Sequence, residues 1–246
     1  MSSSPVPPHH LHLRRASSPL DVSFVNLHAG RVRDLSLDVK AGEVLAFVGN
    51  DDDGAATLLR AAAGLDHPES GSVLLGGEPV RRVDDRCSWT PRDADLQPTH
   101  SLQANLALGL RKSSSASEAK AKIAELLDLA GLRRFAKLLP TDVTAEIVRR
   151  AALARALAGA PGVMLLDNPF AAVEGAARTV LHSVLQTLHR ALPTTVLLAT
   201  NSMDEALRLA DRVVVLGRST AEDVSTILGI HEVPRQGADK AAVRRR

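Results

Sequence analysis

Four apolar runs of strand length constrain the architecture of this chain more than any other feature. They are "VLAFV" (Val44–Val48), "VMLL" (Val163–Leu166), "TVLLAT" (Thr195–Thr200) and "RVVVL" (Arg212–Leu216). Each is bounded by turn residues and none alternates with polar positions, so each reads as a strand buried on both faces. Helical periodicity fills the intervals. Val180, Leu181, Val184, Leu185 and Leu188 fall on one face of a segment from about Glu174 to Ala191, and "DEALRLA" precedes the last run. Strand, helix, strand, helix, strand is the grammar of an α/β fold with a mostly parallel sheet and flanking crossover helices.

Ahead of the apolar runs, "LDVSFVNL" and "RDLSLDV" are shorter and alternating, as an antiparallel β flank would be, and so is "GSVLLGGEPV" (Gly71–Val80). From about Leu102 to Leu157 the chain is helical, with Ile123, Leu126, Leu127 and Ala130 on one face and the loop "KSSSAS" (Lys112–Ser117) interrupting it. The expected organisation is a sheet domain over residues 20–228, a helical lobe inserted at about 89–158, a disordered Pro/Ser-rich tail at 1–19 and a basic tail at 229–246. At 246 residues and 45% apolar, the chain is long enough to bury a full core.

Composition excludes several function classes. Residues 1–19 hold no apolar stretch of signal-peptide length, and no run elsewhere reaches the ~18 residues a membrane span needs. Net charge is +2, aromatics are 2% of the chain, and the basic residues are scattered apart from the terminal "RRR", which argues against a nucleic-acid surface. The single cysteine, Cys87, closes no internal disulfide and reads as an inert core thiol in a reducing cytoplasm.

The chemistry-bearing stretch is "GNDDDGAAT" (Gly49–Thr57), placed where the first apolar strand runs into a helix. Together with "ATLLRAAAGLDHPESGSVLLGGEPV", "LQPTHSLQANLALGL", "RRAALARALAGAPGVMLLDNPFAAVE" and "TTVLLATNSMDEALRLADRVVVL", it resembles, in order and spacing, the ATP-binding subunit of an ABC transporter. The resemblance runs from about Leu20 to Leu216. Within that family the chain is similar to importer ATPases for nitrate, taurine and aliphatic sulfonates, on its texture and on "EVPRQ" near the C-terminus. The resemblance implies a P-loop NTPase-like fold, ATP and Mg²⁺ as cofactors, membrane-spanning permease subunits as partners, a homodimer or a heterodimer with an active homologue, and a cytoplasmic position at the inner face of the membrane.

Site residues carried over from the family are mostly replaced. A phosphate loop G-x-x-x-x-G-K-[ST] needs glycines so that backbone N–H groups point inward, a lysine for the β and γ phosphates, and a hydroxyl for magnesium. Gly49 and Gly54 keep the frame, Ala55 stands at the lysine position, Ala56 at the hydroxyl position, and Thr57 retains a hydroxyl one residue late. Each loop carboxylate of Asp51, Asp52 and Asp53 lying about 5 Å from a phosphate charge would add roughly 3 kcal/mol of repulsion at an effective dielectric near 20. Arg92 falls at the glutamine that approaches magnesium. The signature pentapeptide falls on Val143–Ile147, with Thr144 at its serine and Glu146 at a glycine. Asp167 keeps the carboxylate that helps hold magnesium, whereas Asn168 stands at the catalytic glutamate and Asn201 at the switch histidine. His28 falls where an aromatic stacks on adenine.

An amide hydrogen-bonds a water but does not take its proton at neutral pH. The expected function is therefore an ATP-binding-subunit-like component of a bacterial importer, of the nitrate, sulfonate or taurine type, that is defective in ATP binding and hydrolysis. The alternative is a non-catalytic regulatory or interaction protein that keeps the fold without a transport role. Two readings of the aspartates stay open. They fill the phosphate nest, with Asp53 capping the helix near Ala55, or they form a solvated turn.

Overall fold

A computed structural model describes residues 18–94, 96–111, 115–219 and 224–234. The expected tails at 1–19 and 229–246 lie outside these residues except at their inner ends, and β10 below carries regular strand through Glu232. The first part of the chain forms β1 (Val22–Ala29), β2 (Val32–Val39), β3 (Val44–Val48), α1 (Ala55–Ala62), β4 (Ser70–Leu75), β5 (Glu78–Pro79) and β6 (Cys87–Thr90). The middle supplies α2 (Leu102–Leu108), α3 (Ala116–Leu129) and α4 (Ala145–Ala158). The last part alternates: β7 (Val163–Asp167), α5 (Gly175–Ala191), β8 (Thr195–Thr200), α6 (Met203–Leu209), β9 (Arg212–Ser219) and β10 (Val224–Glu232). The described residues hold no helix long and apolar enough to cross a membrane.

The chain divides into two compact units. The sheet unit takes Asp21–Asp84, Leu165–Asn168 and the described residues from Thr195 to Pro234. Its strands follow the hydrogen-bonded order β5-β4-β1-β2-β10-β9-β3-β8-β7. β3 pairs in parallel with β8 on one side and β9 on the other, so all five of its residues are buried, the physical reason its sequence does not alternate. β1, β2, β4 and β5 form the antiparallel flank that the alternating segments predict. β10 joins flank to core, antiparallel to β9 and parallel to β2 at Ser225–Val32, so the sheet is mixed. Helix α1 packs on β8, β4 and β1, and α6 on β3 and β8.

The helical unit comprises Asp85–Met164 and Pro169–Thr194, with Ser18–Leu20. Helix α4 is its axis, touching α2, α3, α5 and β6. Ala151, Ala152, Ala154 and Ala158 are all buried, and such small side chains let neighbouring backbones approach. Helix α3 begins inside the stretch expected to be loop. Ser115 accepts from Glu118 N–H while the Glu118 carboxylate accepts from Ser115 N–H, a capping box that starts the helix at Ala116. Cys87 is not a core thiol. It is partly exposed, on β6.

On α3, burial and then the neighbouring Arg111 guanidinium hold the Lys122 ammonium below the usual lysine value, with Glu125 opposing. Between the lowered folded value and the unfolded value near 10.5 the unfolded chain binds more protons, so stability contributed by this group rises with pH. Lys122→Gln is expected to raise the melting temperature at pH 7, by about 1 °C because the group is only half buried and solvent screens it. The gap between variant and natural chain should close as the pH is raised through the lowered value toward 10.5, in melts followed by circular dichroism.

Candidate functional site

The sheet unit brings the ends of three neighbouring strands together. In the β3–β8 ladder Val48 lies opposite Thr200, Gly49 N–H donates to Thr200 O at 3.4 Å, and Asn168 N–H donates to Ala199 O at 2.9 Å. Gly49, Asp167, Asn168 and Asn201 are thereby assembled at the carboxyl edge of the central strands, where open α/β sheets bind their ligands. Asn168 is buried and has φ 46°, a left-handed conformation that asparagine tolerates better than glutamate.

The loop between β3 and α1 closes on itself. Asp53 is 5% exposed, and its Oδ2 accepts from Asn50 N–H at 2.6 Å and from Asn50 Nδ2 at 3.1 Å. Asp53 N–H donates to Asn50 O at 3.0 Å. A Cβ at Gly49 would meet Asp53 Cβ at 2.9 Å and Oδ2 at 3.1 Å, so the glycine makes room for that carboxylate. This corrects the expectation that Asp53 caps α1. The N-cap is Gly54, at φ 90° with no side-chain hydrogen bond, and the Asp53 side chain turns back into the loop. Asp51 and Asp52 are exposed, so the three aspartates divide between an inward and a solvent-facing role.

Ala55 is buried and Ala56 half-buried at the start of α1. A Cβ at Gly30 would lie 3.4 Å from Thr57 Cγ2, which places the Thr57 side chain against the turn between β1 and β2. His28, on β1, pairs with Asp34 on β2 at 2.8 Å between Nε2 and Oδ1. Beyond Asn201, the Thr200 hydroxyl donates to the buried carboxylate of Glu205 at 2.6 Å, and Ser202 Oγ accepts from Glu205 N–H at 3.3 Å. Glu205 was not among the sequence candidates, although S-x-x-E at a helix start is the pattern that marks such a residue.

Arg92 and Thr144 belong to the helical unit. The Arg92 carbonyl accepts from the buried Arg149 guanidinium, and the Ala94 carbonyl accepts from Arg155 at 3.3 Å, so two arginines of α4 hold the segment that follows β6. Burial holds Arg149 below the usual arginine value, with the Asp93 charge opposing. Thr144 Oγ1 accepts from Ile147 N–H at 3.5 Å as the N-cap of α4. The Glu146 carboxylate is paired with Arg150 one turn on, which answers the charge that the sequence placed in the signature segment. Asn105 on α2 also escaped the sequence reading. It is fully buried and holds Gln97, His100 and Ser101 by hydrogen bonds. No group of three or more His, Cys, Asp or Glu among the described residues is arranged to hold a metal ion.

A strand, a glycine-framed loop and a helix at the edge of a mixed sheet, followed by Asp167 at a neighbouring strand end, define a nucleotide-binding cassette type of fold. The family model described as ABC transporter matches residues 32–171, more than half of the chain, and the protein belongs to that family. It is 35% identical over 215 residues to an Fe(3+) ions import ATP-binding protein of Rhizobium meliloti, covering 83% of this chain and 53% of the relative. It is 38% identical over 229 residues to a sulfate/thiosulfate import ATP-binding protein of Burkholderia pseudomallei, covering 88% and 65%. The chain thus spans about half to two thirds of the length of these curated relatives. Among solved structures, an ATP-binding cassette dimer in a post-hydrolysis state with ADP and Pi superposes with TM-score 0.72 at 23% identity, over 87% of this chain and 99% of that one. cbiO1 of Clostridium perfringens, part of an ABC transporter complex, superposes with TM-score 0.78 at 19% identity, over 93% and 94%. Both likenesses concern the fold.

Proposed function

We propose that this chain is the peripheral ATP-binding-type component of a bacterial ABC importer and that it has lost effective binding and hydrolysis of MgATP. The observation that carries the reading is the Asp53 carboxylate lodged inside the phosphate loop, 2.6 Å from the Asn50 N–H, with alanine where the family has its lysine. A nest that holds its own carboxylate has a donor already engaged and repels a second anion. Mg²⁺ would find Asp167 but no hydroxyl at Ala56, and the Asn168 amide accepts no proton from water. MgATP is a poor fit to these residues.

The partners in this reading are permease subunits at the inner face of the cell membrane, with a second copy or an active homologue completing the pair. The solute class proposed is a small oxyanion, of the sulfate, sulfonate or nitrate kind. The sulfate/thiosulfate importer among the relatives and the sulfonate-type texture of the sequence support it. The test is titration calorimetry of the purified full chain with MgATP, alongside phosphate release. The expected result is a Kd weaker than about 1 mM and no turnover above background. Micromolar, magnesium-dependent binding would overturn the proposal.

A further inference from the structure

One strand of the sheet unit has an open side. β10 pairs with β9 from Val224 to Glu232, but its parallel pairing with β2 is confined to Ser225–Val32. Two bonds near its ends fix which way its backbone groups point. Ser225 N–H turns away from β9 and donates to Arg31 O at 2.8 Å, whereas Val233 N–H turns toward β9 and donates to Asp211 O at 2.8 Å. Alternation back from Val233 puts the N–H and C=O of Glu232 and Ile230 on the side away from β9. The register shift between Ile227 and Gly229 is what lets the two ends differ. Past Ser225, this row of backbone donors and acceptors has no strand beside it among the described residues.

The open side is also apolar and poorly guarded. Leu228 is 68% and Ile230 45% exposed, and His231 and Glu232 are exposed as well. Edge strands are commonly blunted by lysine, proline, a bulge or a covering element. Thr226–Glu232 holds no lysine, arginine or proline. Its bulge lies at the start of the open stretch and leaves Gly229–Glu232 in regular register with Val215–Arg212. Backbone groups in a row of this kind are recognised by another strand.

We propose that this edge pairs with the same edge of a second copy of the chain, antiparallel, on a two-fold axis through Ile230. A two-fold contact requires a self-complementary patch, and this stretch supplies one. With Ile230 opposite its own copy, Glu232 stands opposite Leu228 of the second copy and His231 opposite Gly229, so no like charges face each other. Glu232 is the only carboxylate from Thr226 to Glu232, and the register sets the two copies of it four residues, about 13 Å, apart along the strands. A pair of short strands buries less than a standard interface, so the dimer is weak. The contact uses no phosphate-loop residue and stands whether or not that loop holds nucleotide.

Sedimentation equilibrium of the full chain from about 5 to 500 µM, without nucleotide, is expected to show a monomer–dimer equilibrium with a Kd of about 100 µM. Ile230→Lys, at an exposed position, is expected to weaken it at least about tenfold with an unchanged circular-dichroism melt. The register has its own readout, because Cys87 is the only cysteine and facing residues of paired strands lie within disulfide reach. In a Cys87→Ser background, Ile230→Cys is expected to form an intermolecular disulfide under mild oxidation about tenfold faster than Leu228→Cys or Glu232→Cys alone, while the latter two, mixed, cross-link with each other. A dimer that Ile230→Lys leaves intact, or Ile230→Cys cross-linking no faster than the other two, would overturn the proposal. A chain that stays monomeric over the whole range would overturn it too, and would leave the edge to a strand of another protein.

Discussion

A chain rebuilt with Asp52→Gly, Asp53→Ser, Ala55→Lys, Ala56→Ser and Asn168→Glu is expected to bind MgATP at least about 1000-fold more tightly than the natural chain, and about 100-fold more tightly than the same rebuild with Asp53 retained. The lysine adds a charge-assisted bond to phosphate of about 1.5–3 kcal/mol. Removing a carboxylate near the phosphates relieves roughly 3 kcal/mol for each such pair at an effective dielectric near 20. From sequence, Asp52 and the missing lysine are the evident repairs. The geometry adds Asp53, whose carboxylate is the buried one and takes the Asn50 N–H. Asn168→Glu carries its own cost, about 1 kcal/mol, because position 168 has φ 46°. Calorimetry on both rebuilds decides the matter. Equal affinity with and without Asp53 would remove that carboxylate from the explanation.

The strands of the core were legible because burial on both faces leaves an unmistakable apolar run. β3 spans the residues read from "VLAFV", and β8 those read from "TVLLAT". β10 was not. Its segment "VSTILGIHE" includes Gly229, a register shift falls between Ile227 and Gly229, and Leu228 and Ile230 are exposed, so no periodicity survives along it. The phosphate loop was found through its flanking strand and helix, but the direction of the Asp53 side chain depends on a four-residue turn that composition does not encode. Arg149 was invisible for a different reason. Its role is to hold the carbonyl of Arg92, 57 positions earlier, a contact made by tertiary packing. Thr144 was read as a serine substitute, and the structure gives it the work that threonine does at many helix starts.

Asn105→Ala is expected to cost about 3–4 kcal/mol, from the loss of several hydrogen bonds worth about 1 kcal/mol each and the stranding of their buried partners. The side chain is fully buried. Its Oδ1 accepts from Gln97 N–H at 2.7 Å, and its two Nδ2 hydrogens are shared among Gln97 O at 3.0 Å, His100 O at 3.0 Å and Ser101 O at 3.1 Å. One amide thus satisfies the backbone N–H and C=O of Gln97 and holds the turn that leads into α2. At roughly 2–4 °C per kcal/mol for a chain of this size, the melting temperature should fall by about 6–16 °C. Asn105→Asp discriminates between shape and hydrogen bonding, because a carboxylate fills the same space yet offers no donor to three carbonyls and buries a charge. It should be at least as destabilising as the alanine at neutral pH. Hydrogen exchange should show residues 97–101 losing protection before α2 does. A melting temperature within about 2 °C of the natural chain for both variants would mean that the turn holds its form without this side chain, and that the packing of Leu102 and Leu106 alone fixes the start of α2.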